Sequence, residues 1–84
     1  MGTSSREKPK RLAEKLLQIR IGLGLSQNEM VMRLSLGDKL KREDISKYER
    51  GVREPSLLTL LEYARSIGVS TDILIDDHVD LPRF

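Results

Sequence analysis

Gly24-Leu25-Ser26-Gln27-Asn28-Glu29 and, further on, Asp44-Ile45-Ser46-Lys47-Tyr48-Glu49-Arg50-Gly51 are the two stretches that decide the fold. The first opens a helix. Ser26 with Glu29 three residues on is a capping box, in which the Ser26 hydroxyl accepts from the Glu29 N–H and the Glu29 carboxylate reaches back. Leu25 and Met30 hold the staple positions on either side of it. The helix that follows buries Met30, Val31 and Leu34 and runs to about Leu34. The second stretch closes a helix over roughly 41–50. It turns Ile45 and Tyr48 to the core and ends at Gly51, where a left-handed residue belongs.

Outward from these strings the pattern stays helical. Leu12, Leu16, Ile19 and Leu23 recur at steps of four, three and four, giving a helix from near Pro9 with one apolar stripe. Gly22 and Gly24 end it. Ser35 to Leu40 has a glycine and no sustained period, so it reads as a connection. Glu54-Pro55-Ser56 resets the chain, and Ser56 caps a helix that buries Leu57, Leu60, Leu61, Ala64 and Ile67 and stops at Gly68. Ser70 caps a fifth, short helix over 71–75, with Asp72 favourably placed in its first turn. The expected architecture is therefore all-α: a flexible basic arm over 1–9, a five-helix domain over 10–75, and an acidic, apolar C-terminal tail over 76–84.

Composition narrows the function. With 84 residues there is room for one modest core, and 38% hydrophobic against 33% charged residues is a globular balance. No apolar run approaches the ~20 residues that cross a bilayer, so no membrane role is expected. Met1-Gly2 fails as a myristoylation signal because Arg6 stands where Ser or Thr is required. The chain has no cysteine and one histidine, His78, which leaves no metal constellation and no obvious general base. His78 reads as a solvated tail residue, and a reducing, cytoplasmic location fits. Gly22-Leu23-Gly24 lacks the third glycine and the preceding strand of a dinucleotide site. No cofactor and no enzymatic activity are expected. Residues 1–71 carry a net +5 and residues 72–84 a net −3, which together make the chain's +2. A basic body with an acidic end suits a polyanion partner.

In this order and spacing, Arg20, Gly24, Leu25-Ser26-Gln27, Glu29, Ile45-Ser46, Tyr48-Glu49-Arg50-Gly51, Pro55-Ser56 and Gly68-Val69-Ser70 resemble a known pattern. It is that of the five-helix, lambda-repressor-like DNA-binding domain of phage repressors and Cro-like proteins, the xenobiotic-response-element family of bacterial regulators. The resemblance covers about residues 10–75. It implies a helix-turn-helix whose third helix, about 41–50, enters the major groove of double-stranded DNA. By this resemblance Gln27 anchors a phosphate, with Asn28 beside it at the second helix's N-terminus. Arg42, Glu43 and Lys47 face base edges, with Ser46 and Asp44 adjacent, while Arg50 and Arg53 contact the backbone. Arg20 and Glu49 form a structural ion pair. Elementary chemistry agrees: an Arg fork matches guanine O6 and N7, and a helix N-terminus attracts phosphate. Glu43 either accepts from cytosine N4 or buttresses a neighbouring cation, and Asp44 is equally a first-turn carboxylate favoured by the helix dipole.

One departure stands out. The connection between the second and third helices is about four residues longer than the usual turn. Ser35 replaces the family's turn glycine, which looks displaced to Gly37. The insertion brings Lys39 and Lys41, either as a tolerated loop or as an added phosphate contact. The expected function is a sequence-specific transcriptional regulator acting as a homodimer on a palindrome. Ile73, Leu74, Ile75, Val79, Leu81 and Phe84 are candidates for the dimer contact, unless the tail folds back on its own domain. The alternative is an antitoxin- or adaptor-like module that binds a protein partner through residues 76–84.

Overall fold

Serine hydroxyls start two of the helices. Ser26 Oγ accepts from Glu29 N at 3.1 Å while Glu29 Oε1 accepts from Ser26 N at 2.8 Å, closing both halves of the box. Ser56 Oγ accepts from Thr59 N at 3.2 Å. The computed structural model describes residues 8–84, and most of the expected arm over 1–9 lies outside them. In chain order the helices are α1 (Leu12–Gly22), α2 (Gln27–Leu34), α3 (Arg42–Glu49), α4 (Leu57–Ser66) and α5 (Thr71–Ile75), with one 3₁₀ turn (Gly37–Lys39) between α2 and α3. There is no strand among the described residues. The fold is the all-α helix-turn-helix domain, with α2 and α3 joined by the lengthened turn.

Every helix contributes to one core. Leu12, Leu16 and Ile19 of α1 meet Met30 and Leu34 of α2, Ile45 and Tyr48 of α3, Leu60, Tyr63 and Ala64 of α4, and Leu74 of α5, all buried. A fully buried side chain of this kind contributes about 1.5–3 kcal/mol, so these positions hold α3 in place for whatever its outer face does.

Three expectations are corrected. Leu57 is 84% exposed, not buried. The inward stripe of α4 is Thr59, Leu60, Tyr63 and Ala64. Burying the whole Tyr63 ring rotates the helix and leaves Leu57 about a quarter-turn from the stripe's centre. The connection between α2 and α3 packs on the core, with Leu40 buried and Leu36 half-buried against it. The turn glycine has not simply moved. Ser35 itself is left-handed at φ 55°, and Gly37 is left-handed as well at φ 63°. The Ser35 strain, on the order of 1 kcal/mol, is offset in part by its hydroxyl donating to Met32 O at 3.3 Å.

Residues 76–84 run back along α1. Asp77 caps α1: its carboxylate accepts from Lys10 N and Arg11 N, both at 2.9 Å. This is why regular helix begins at Leu12 and not near Pro9. Arg11 donates to Asp77 O at 3.2 Å and pairs with Asp80 at 2.8 Å. Leu81 packs against the core, and a side chain built on Gly22 would strike the Phe84 ring.

The caps make stability pH-dependent. The backbone bonds from Lys10 and Arg11 hold the Asp77 carboxyl below its ordinary pKa, and the bonds from Ser26 do the same for Glu29. A lowered folded pKa means stability that is complete above the unfolded value of about 4 and is lost as pH falls through the folded one. Asp77→Asn should therefore melt below wild type at pH 7, and the gap should close in melts taken progressively below pH 4. A gap that persists undiminished in acid would show that the Asp77 charge is not what caps α1.

Candidate nucleic-acid interface

The outer face of α3 follows from its inner one. With Ile45 and Tyr48 buried, Arg42, Glu43, Lys47 and Arg50 are exposed and Ser46 is half-exposed, as a helical period requires. Arg50 Nε donates to Ser46 Oγ at 3.2 Å, which lays the guanidinium along the helix. Asp44 secures the start of α3, accepting from Lys41 N at 2.9 Å through one oxygen and from Arg53 Nη1 at 2.8 Å through the other. Asp44 thus serves as a cap and as the partner of Arg53. Arg53, grouped with the backbone contacts by resemblance, is tied to the N-terminal end of α3.

Cations outnumber carboxylates on this face. Among the described residues, no carboxylate lies within ion-pair distance of Lys39, Lys41, Arg42, Lys47 or Arg50. Glu43 pairs with none of them. All five cations are exposed, on α3, in the turn that leads into it or, for Arg50, just past its C-terminus.

Behind the face lies the element that orients it. Arg20 of α1 grips Glu49 of α3 as a fork, with Nε to Oε2 at 2.7 Å and Nη2 to Oε1 at 2.9 Å. Arg20 Nη1 also donates to Leu25 O at 3.0 Å, and Gln27 Nε2 donates to Glu49 Oε1 at 3.2 Å. The side chains of the pair are only 14% and 6% exposed. The hydrogen bond with Glu49 raises the Arg20 pKa despite partial burial. Gln27 is consequently half-buried with its amide N–H₂ on Glu49, while Asn28 beside it is exposed at the N-terminus of α2. One carboxylate therefore joins three helices. Tyr63 lies close enough for the Glu49 charge, with burial as the larger cause, to push its phenol well above the usual range. Its hydroxyl is buried without a hydrogen-bond partner among the described residues.

Sequence reasoning missed Lys15. It is fully buried, and its ammonium donates to Ile73 O and Asp76 O, both at 2.7 Å, at the end of α5. The signal was its place at the edge of the apolar stripe, one turn before Ile19. Asp77 and Asp80 spend their carboxylates on α1, and among the described residues no helix is long and apolar enough to cross a membrane.

A family profile of the helix-turn-helix domain matches residues 13–77, from the first turn of α1 to the aspartate that caps it. The chain belongs to the helix-turn-helix domain family. It is similar to the SPbeta prophage-derived uncharacterized HTH-type transcriptional regulator YonR of Bacillus subtilis (strain 168), with 39% identity over 62 residues covering 74% of this chain and 54% of that protein. The chain thus spans about half the length of this curated relative. Among solved structures, it is similar to the hypothetical transcription factor NHTF from Neisseria, with a TM-score of 0.64 and 25% identity over 87% of this chain and 86% of that one. Within this family architecture α2 and α3 are the paired helices, and the cations without an ion pair among the described residues lie on and immediately flanking the second of them.

Proposed function

We propose that the protein is a sequence-specific, double-stranded-DNA-binding transcriptional regulator of the cytoplasm, which inserts α3 into the major groove and acts as a homodimer on a palindromic operator. The observation that carries this reading is the set of five exposed cations on and flanking α3 that make no ion pair among the described residues. Membership of the helix-turn-helix family and the likeness to an HTH-type transcriptional regulator support it. Arg42 and Lys47 read base edges, assisted by Glu43 and Ser46. Arg50, Lys39 and Lys41 hold phosphates and fix register. The N-terminus of α2, with Asn28 exposed, supplies further N–H donors to the backbone.

Selection of bound duplexes from a random library at physiological salt tests the proposal. A palindromic consensus with half-site centres ~34–36 Å apart is expected. Arg42→Ala should relax one position of each half-site at a cost of ~1–3 kcal/mol. Replacing Lys39 and Lys41 together by Ala should instead weaken all sequences alike and flatten the salt dependence. Failure to enrich any consensus would remove sequence-specific binding.

A further inference from the structure

Tyr63 is fully buried, and its hydroxyl has no hydrogen-bond partner among the described residues. A phenylalanine would fill the same space without the cost of an unsatisfied oxygen. Packing therefore accounts for the ring and not for the hydroxyl. Burial first, and then the charge of Glu49, raise the pKa of the phenol, so its oxygen looks onto the Arg20–Glu49 pair. The same carboxylate has a second polar neighbour. Gln27 donates to Glu49 Oε1 at 3.2 Å, the longest of the three bonds that Glu49 accepts. Gln27 also opens α2, and the backbone N–H groups of Gln27 and Asn28 have no acceptor among the described residues. A phosphate at that helix end accepts from them and competes for the Gln27 amide. Drawing the amide away leaves Glu49 one donor short, in a site where its side chain is 6% exposed.

We propose that Tyr63 is a positioning residue for DNA binding, its hydroxyl replacing the Gln27 amide on Glu49 when a DNA phosphate draws that amide away. The inference rests on the DNA-binding reading above and concerns a residue that touches no DNA. In the free domain Glu49 holds Arg20 and Gln27, and the Tyr63 hydroxyl stands without a partner. In the complex Glu49 turns about its soft terminal torsion, keeps Arg20 and accepts from Tyr63. The buried carboxylate thus still accepts three bonds, and α3 stays anchored to α1 while α2 grips the backbone. The hydroxyl weakens the free state and is satisfied only in the bound one.

Fluorescence anisotropy on the selected duplex, with thermal melts of the free proteins, tests this role. Tyr63→Phe should melt at or above wild type yet bind DNA ~10-fold more weakly, the loss of one hydrogen bond to a charged group. In a Gln27→Ala background the carboxylate has already lost the amide, so Tyr63 donates to it in the free protein as well. There Tyr63→Phe should lower the melting temperature and leave the DNA affinity within about twofold. A merely structural phenol would give the same changes in both backgrounds. Wild-type affinity in Tyr63→Phe, or equal effects with and without Gln27, overturns this role and leaves the DNA-binding reading intact. A wild-type chain that binds no duplex overturns that reading and this role together.

Discussion

Glu49→Ala is expected to lower the melting temperature by ~12–24 °C, the shift that about 3 kcal/mol produces in a domain of this size. The magnitude follows from what the substitution strands. Glu49 accepts two bonds from Arg20 and one from Gln27, in a site where its side chain is 6% exposed. Its removal leaves a guanidinium and an amide facing a shortened side chain with little water at hand. A buried pair need not add net stability relative to an apolar pair, but losing one partner exposes the full desolvation cost of the other. Glu43→Ala is the control. Glu43 is exposed and makes no ion pair among the described residues, so the change should fall within about 0.5 kcal/mol. Glu49→Gln should lie between, keeping one oxygen for Arg20. Equal melting temperatures for the Glu49→Ala and Glu43→Ala variants would remove the structural role assigned to the pair.

The comparison of Glu43 with Glu49 also shows what could be read in the chain before its structure. The start of α2 was legible because a capping box is local: its bonds join residues three apart and need nothing else in the fold. The buried face of α3 was legible from period alone, since Ile45 and Tyr48 leave no other rotation. The proximity of Arg20 and Glu49 was not contained in spacing. It entered through the family resemblance, because the residues lie 29 apart on different helices. Leu57 was misplaced because hydropathy ranks a leucine above a threonine or tyrosine, whereas the shape of the core favoured the Tyr63 ring with Thr59 above it. Leu40 was overlooked because an irregular connection has no period that would reveal an inward residue. For the interface, residue types and helix face were readable. What was not readable is which polar side chains remain free, since Arg53 is engaged by Asp44 and Gln27 by Glu49. Such pairings are decided by tertiary geometry.

Lys15 carries the same lesson to its limit, and its removal is the second large effect expected. Lys15→Ala should destabilise the domain by ~2–4 kcal/mol, combining a cavity where three side-chain carbons were packed with loss of the ammonium bonds to Ile73 O and to Asp76 O, the latter keeping the Val79 N–H at 3.2 Å. The ammonium reaches both Ile73 O and Asp76 O, 58 and 61 residues further along the chain. It therefore ties α1 to the C-terminal end of α5, where a positive charge also meets the helix dipole favourably. Lys15→Met separates the contributions, keeping a stem of similar bulk and deleting only the charge and its two bonds. Burying an ammonium is itself costly. The methionine variant is expected to lose ~1–2 kcal/mol, less than the alanine variant but more than nothing. Amide exchange should rise first in residues 73–84 of both variants, because the same tie positions Asp76 and, next to it, the Asp77 carboxylate that caps α1. A methionine variant as stable as wild type, with unchanged exchange there, would mean that packing of the stem alone keeps lysine at this buried site.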